Sequence, residues 1–135
     1  MVASYGLIKS QAYKEVTDEI LAMSELCHQH HIGLKVIVET DALNENEIKK
    51  ALECCILGKA DFIKTSTGFF KGTHIVGASP EVIRLLVNEA QGRIKVKGSG
   101  CVRSRERLIE LIELGIDRAG VGCGSTAAIL GENNE

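Results

Sequence analysis

The sequence lacks the segments that would carry a protein into or across a membrane. No stretch approaches the ~20 consecutive apolar residues that a membrane-spanning helix requires. The first residues, MVASYG, contain neither a basic segment nor an apolar segment followed by small residues, so we expect no secretory signal. The sequence therefore predicts a cytoplasmic protein with no membrane partner.

Cysteine pairs with the C-x-x-C spacing are also absent. The chain has 5 cysteines, an odd number, and no C-x-x-C motif. This pattern argues against a disulfide framework and against a zinc ribbon, and it predicts free thiols. Cys54 and Cys55 face the apolar side of a predicted helix and are interpreted as small buried side chains. Cys101 and Cys123 follow predicted strands in glycine-rich loops, where a reactive thiol is the less favoured interpretation.

No long run of one charge sign occurs. Lys and Arg number 16 and Asp and Glu number 18, which gives a net charge of -2, and the two signs are interleaved. Without a basic stripe, a nucleic-acid partner is not expected. A Pro/Ser-rich linker is missing as well, and 135 residues suffice for one compact core. Residues 1–135 are therefore predicted to form a single domain.

The histidine cluster HQHH, residues 28–31, contains side chains that can bind metals. It lies at the predicted end of a helix, on the side of the layer opposite the ends of the strands. Histidine at a helix C-terminus interacts favourably with the helix dipole, so we favour capping and predict no metal site.

Apolar periodicity alternates between helix and strand along the whole chain. A stripe from Lys9 to His30 predicts the first helix, and further helices are predicted to begin at the caps Asn44, Ser79 and Ser104 and near Thr126. Strands are predicted at residues 33–39, 60–64, 93–97 and 118–122, and the tail GENNE is expected to fray. This alternation is typical of an α/β fold with a parallel sheet, and by itself it fits both a barrel and a doubly wound sheet.

Two lysines stand at the ends of predicted strands. Lys64 closes DFIK and Lys97 closes IKVK, and a small or hydroxylated loop with glycine follows each. Catalytic groups of such folds lie at this edge of the sheet. A neighbouring ammonium group and partial burial both lower the pKa of a lysine amine. A lysine in its neutral form attacks carbonyls to form a Schiff base. The alternative is that each lysine only extends from a strand end into water.

Three glycine loops, STG, GSG and GVGCGS, also follow strands. Exposed backbone N–H groups in such loops can hold a phosphate, especially where a helix begins. Tight turns that require glycine are the equally favoured alternative for each loop taken alone.

The segments LKVIVET, ADFIKTSTG and KVKGSGCVR resemble, in this order, segments of the deoxyribose-phosphate aldolases, which are class I aldolases with a TIM (β/α)8 barrel. The resemblance implies a lyase of deoxyribonucleotide catabolism that cleaves 2-deoxy-D-ribose 5-phosphate, a small phosphorylated sugar, to glyceraldehyde 3-phosphate and acetaldehyde. Lys64 would form the Schiff base and Lys97 would be the second lysine, and no cofactor is implied. The implied phosphate-binding residues are Gly68, Gly100, Cys101, Val102, Arg103, Gly120, Gly122 and Cys123.

The chain also departs from this family. The family usually carries a glycine where Cys101 stands and serines where Gly122 and Cys123 stand, so hydroxyl donors to a phosphate are lost. The chain resembles only the C-terminal half of the barrel. The first three strands and the aspartate of the proton relay have no counterpart in it, and we expect impaired activity.

A partial barrel leaves strand edges unpaired, which predicts self-association, and its concave face is expected to expose Val, Ile and Phe side chains. The alternative function is a non-catalytic sugar-phosphate-binding or assembly module derived from the same family.

Overall fold

The computed structural model describes residues 1–131, so most of the tail expected to fray lies outside the described residues. The helices are α1 (Tyr5–Lys9), α2 (Tyr13–Gln29), α3 (Glu45–Leu57), α4 (Pro80–Ala90), α5 (Arg105–Glu113) and α6 (Cys123–Leu130). The strands are β1 (Lys35–Ile37), β2 (Phe62–Lys64), β3 (Lys95–Ser99) and β4 (Arg118–Gly120), and a 3-10 turn spans Thr40–Ala42.

The four strands form one parallel sheet in the order β1-β2-β3-β4. Residues 1–3 run beside β1, where Val2 pairs with Ile37 in parallel. A helix connects each strand to the next, so neighbouring strands lie side by side in chain order. The predicted alternation and parallel sheet are confirmed.

The predicted helix starts are confirmed where a local capping motif defines them. Asn44 accepts a hydrogen bond from the N–H of Glu47, whose side chain bonds back to Asn44 in a capping box. Ser79 and Ser104 cap α4 and α5 in the same way with their hydroxyls. The first predicted helix, residues 9–30, corresponds to α2 (Tyr13–Gln29), which begins later than predicted because Gln11 adopts a left-handed conformation (φ 62°). The separate helix α1 before it was not predicted.

The two faces of the sheet differ in chemistry. Val36, Ile63 and Val96 alternate onto the face that the helices cover, and all three are buried. The opposite, inner face was predicted to expose Val, Ile and Phe side chains. Phe62 and Ile37 lie there, whereas the Val side chains of β1 and β3 face the helices and lysine and arginine occupy most of the inner face. Phe62 lies there among three cations: Lys35 Nζ, Lys95 Nζ and Arg118 Cζ are 5.6, 5.4 and 5.1 Å from the centre of its ring. Apart from Ile37, the large aliphatic residues of these strands belong to the other face.

Within residues 1–131, no helix combines the length and the apolar character needed to cross a bilayer.

The end of α3 gives a test of the packing between helices. Gly58 is buried with an ordinary φ of -75°, and a Cβ placed there would lie 2.5 Å from Cγ2 of Ile20 in α2. We expect Gly58→Ala to lower the free energy of unfolding by about 1–3 kcal/mol through this overlap. Urea denaturation measures the change.

Gly124→Ala is the matched control, because a Cβ at this helical position meets nothing within 4 Å. It should leave stability unchanged or raise it by about 0.4–1 kcal/mol. Equal effects of the two substitutions would contradict the packing described here.

Candidate active site

Lys64 and Lys97 are direct neighbours in the sheet. The register pairs Lys64 of β2 with Lys97 of β3, and the same row continues to Ile37 of β1 and Arg118 of β4. Residues in register project from the same face of a sheet, and adjacent strands are only about 4.8 Å apart. The two lysines therefore lie side by side on one face of the sheet. Lys97 does not close its strand as predicted, because β3 extends two residues further, to Ser99.

The charges around Lys97 favour its neutral form. Partial burial is the main cause of the lowered pKa of Lys97, and the positive charges of Lys64, Lys35 and Arg118 lower this pKa further. Among residues 1–131, neither Lys64 nor Lys97 forms an ion pair with a carboxylate. Burial and these positive charges therefore make loss of a proton from Lys97 easier than it would be from an isolated lysine.

Gly120 of β4 leaves space for the Lys97 side chain. A Cβ at this position would lie 3.2 Å from Cε of Lys97 and 2.7 Å from Cβ of Ser99. A larger residue would displace the stem of Lys97. Gly120 is thus required by close packing next to an amine of the site, in addition to any role in binding phosphate.

Hydroxyl groups join the loops that follow β2 and β3. Thr65 Oγ1 donates to Ser99 O (2.6 Å) and accepts from Ser99 N–H (2.9 Å), while Ser99 Oγ donates to Ser66 O (2.8 Å). Gly100 packs on Ser66, where an added Cβ would be 3.0 Å from the serine Cβ. These hydroxyls were not identified as site residues from the sequence, although their position after each lysine was visible in it.

Two carboxylates beyond the end of β1 hold the long loop after Lys64. Glu39 is buried, and its Oε2 accepts from both the N–H and the hydroxyl of Thr67. Asp41 Oδ1 accepts from the N–H groups of Val76 and Gly77 at 2.8 and 3.0 Å. Sequence reasoning gave neither carboxylate a role at the site.

The residues implied to bind phosphate lie on three loops at the carboxyl edge of the sheet. Gly68 is exposed in a left-handed conformation (φ 85°), with open space around it. Val102 is only 3% exposed, so its side chain belongs to the core. Cys101 adopts φ 57°, a conformation that costs a non-glycine residue about 1 kcal/mol. The remaining positions are Gly100, Arg103, Gly120, Gly122 and Cys123, and Gly122 is the N-cap of α6.

The histidine cluster is tied to the fold at its first residue. His28 Nε2 lies 2.9 Å from Asp61 Oδ2, and this oxygen also accepts from the N–H of Leu34. Burial alone would raise the pKa of Asp61, but the hydrogen bonds from His28 and Leu34 outweigh it and lower the pKa. Within the described part of the chain, no three His, Cys, Asp or Glu side chains converge as metal ligands. Asp61 thus joins α2 to the starts of β1 and β2.

The buried cysteines have no reactive character. Cys54 and Cys55 pack in the core as expected, and burial raises the pKa of both thiols. Cys101 and Cys123 are exposed.

A cleft of about 520 Å³ lies between α3 and α4, with Leu43, Ile48, Val82 and Leu85 among its lining residues. Neither lysine lines it. The lysine pair lies instead on the open inner face of the sheet.

The lowered pKa of Lys97 predicts a dependence of stability on pH. The unfolded chain binds a proton at this lysine more tightly than the folded chain does. The free energy of unfolding should therefore rise with pH between the lowered folded pKa and the ordinary lysine value. Other groups also titrate in this range, so the test is the difference between the native protein and Lys97→Met in urea titrations at several pH values. Parallel pH profiles of the two proteins would contradict the prediction.

Comparison with known proteins shows which protein family the chain is related to. No protein-family model matches it. A deoxyribose-phosphate aldolase from Aquifex aeolicus (strain VF5) is 45% identical over 130 residues, which are 95% of this chain and 56% of that relative. The solved structure of QR15, an aldolase, matches with a TM-score of 0.84 and 44% identity over 97% of this chain and 56% of that one. A tetrameric deoxyribose phosphate aldolase from Aeropyrum pernix matches with a TM-score of 0.76 and 24% identity, over 88% of this chain and 49% of that one, and shows the fold alone.

The chain spans about half the length of the curated relatives that it matches. Its four parallel strands and their helices are a partial TIM barrel, as expected from the sequence. The identity extends over almost the whole chain, so the resemblance noted in the three motifs is confirmed. The chain belongs to the deoxyribose-phosphate aldolase family.

Proposed function

We propose that this chain acts as a class I aldolase-type lyase on 2-deoxy-D-ribose 5-phosphate in the cytoplasm, yielding glyceraldehyde 3-phosphate and acetaldehyde. The observation that supports the proposal most strongly is the pairing of Lys64 with Lys97 in one row of the sheet, together with the lowered pKa of Lys97. A nucleophilic amine requires a neutral nitrogen, and adjacent like charges favour it.

Lys64 is the proposed nucleophile. Its neutral amine adds to the C1 aldehyde, and loss of water gives a protonated Schiff base. A base then removes the proton of the C3 hydroxyl, the C2–C3 bond breaks, and its electron pair moves into the iminium to leave an enamine. Glyceraldehyde 3-phosphate departs with C3 to C5, and protonation of C2 followed by hydrolysis releases acetaldehyde. Lysine Schiff bases divide such cleavages into easier steps.

Lys97 is the proposed partner amine. Because its pKa is lowered, its neutral form can take the proton that Lys64 must lose before attack. The Lys97 stem lies beside Gly120, where a side chain would crowd it.

The phosphate of the substrate is proposed to bind at the three glycine loops. Gly68 and Gly122 present backbone with open space around it, and Gly122 begins α6, where N–H groups and the helix dipole favour an anion. The exposed Arg103 adds a positive charge to the same edge of the sheet. The other proposed contacts are Gly100, Cys101, Val102, Gly120 and Cys123.

We expect slow turnover from these 135 residues. The resemblance implies that a relay aspartate completes proton transfer in the family, and it has no counterpart here. General acid–base groups typically contribute about 10²–10⁴-fold to a rate, so imine formation should persist better than the complete reaction.

Reductive trapping tests the proposed nucleophile. Borohydride with acetaldehyde or 2-deoxyribose 5-phosphate should leave a stable adduct on Lys64, located by peptide mass spectrometry. Lys64→Arg should abolish the adduct and keep the binding of sugar phosphate, because the guanidinium retains the charge without a nucleophilic amine. Lys50→Arg, at an exposed helical lysine, is the control and should be labelled as the native protein is.

An unlabelled Lys64 in a protein that still binds the sugar phosphate would exclude the lyase and favour a non-catalytic binding module.

We also propose that the chain associates with itself through its open sheet edges. Within residues 1–131, the outer edge of β4 pairs with no other strand. Unpaired strand edges favour association. Sedimentation velocity at micromolar concentration should show dimers or larger species that dissociate on dilution, and a stable monomer over the whole series would exclude this proposal.

A further inference from the structure

Glu39 carries two unfavourable features at the carboxyl edge of β1. Its backbone is left-handed (φ 48°, ψ 69°), although it is not a glycine. Its side chain is buried, and Oε1 has no hydrogen-bond partner among the described residues. Strained backbone and unsatisfied buried polar groups both cost stability. Strained backbone is concentrated at functional sites, and a buried polar atom without a partner is rare enough to need an explanation.

The position of Glu39 relates it to the lysine pair. Ile37 is in register with Lys64, and Glu39 follows Ile37 by two residues. The N–H of Val38 donates to the carbonyl of Lys64 at 3.1 Å and the N–H of Thr40 donates to the carbonyl of Thr65 at 2.9 Å, so the backbone on both sides of Glu39 is bonded to the chain at Lys64 and Thr65. Glu39 is thus next to the strand that carries the proposed nucleophile.

The other oxygen of Glu39 fixes the turn that follows Lys64. Oε2 accepts from the N–H of Thr67 at 3.3 Å and from the Thr67 hydroxyl. The same hydroxyl accepts from the N–H of Phe69 at 3.0 Å. The Thr67 side chain is therefore fixed by Glu39 and also bonds to the backbone of Phe69. Gly68, which has open space around it, lies between Thr67 and Phe69.

We infer that Glu39 is a positioning residue that fixes the Thr67–Phe69 turn and thereby gives the Lys64 site its preference for phosphorylated over unphosphorylated aldehydes. The inference rests on the proposed function, in which the N–H of Gly68 contributes to phosphate binding. Asp41 holds the distant end of the loop at Val76 and Gly77. Loss of Glu39 should therefore loosen the turn and leave the loop as a whole anchored.

The test compares the rates at which borohydride traps 2-deoxyribose 5-phosphate and 2-deoxyribose on Lys64, each per folded molecule. The native protein should favour the phosphorylated aldehyde. Glu39→Ala and Thr67→Val should each lower this preference about tenfold, because each removes a charge-assisted hydrogen bond that orders the turn. The double variant should lose no more than either single variant, as expected for two residues that act as one unit.

Glu39→Gln should keep the preference within about twofold, because its amide oxygen can still accept from Thr67. Glu47→Ala is the control: this carboxylate also accepts a backbone N–H, from Asn44 at 2.8 Å, but it caps α3. It should lower stability and leave the preference unchanged.

A second measurement does not depend on catalysis. Inorganic phosphate is titrated while the amide resonance of Gly68 is followed by NMR, and Glu39→Ala should weaken the apparent affinity about tenfold. If Glu39→Ala does not fold, Thr67→Val provides both measurements. Unchanged preference and unchanged phosphate affinity in these variants would overturn the inference while the lyase proposal stands. A native protein that forms no adduct on Lys64 would overturn both.

Discussion

Repulsion between two ammonium groups in the same row of a parallel sheet is the constraint on which the site depends. The register brings Lys64 and Lys97 to adjacent strands, and Arg118 continues the same row on β4. Lys35, one row away on β1, adds a further positive charge that acts on Lys97. Water screens such charges on an open surface, whereas partial burial strengthens their effect. The fold accepts this repulsion because the opposite face of the same strands is buried under the helices and supplies the stability.

The inner face shows how the same strands serve both purposes. Val36, Ile63 and Val96 contribute to the core, while their sequence neighbours contribute charge. Around Phe62 the cations lie over or beside the aromatic ring, and cation–π attraction offsets part of their mutual repulsion. The ring of Phe62 thus makes it less costly for these three charged groups to lie close together.

The sequence predicted those features that depend on residues close together in the chain. Caps at Asn44, Ser79 and Ser104 are set within one helical turn, and their positions were correct. The lysine pair was predictable because both residues lie near the carboxyl ends of neighbouring parallel strands, although β3 extends two residues beyond Lys97. The contacts of Glu39 with Thr67 and of Thr65 with Ser99 join residues 28 and 34 positions apart, and no local pattern indicates them. The high charge of the inner face was not predicted, because strands of 3 residues are too short for alternation to show which face is covered.

The hydrogen bonds between the Thr65 side chain and the Ser99 backbone also maintain the register that places Lys64 beside Lys97. They lock β2 and β3 at their ends, one residue beyond Lys64 and two beyond Lys97. If either strand slid by a single position, every side chain on it would change faces, and its lysine would be driven under the helices. Two neutral hydroxyl-bearing residues, which take no part in the proposed chemistry, therefore keep both nitrogens on the same side of the sheet.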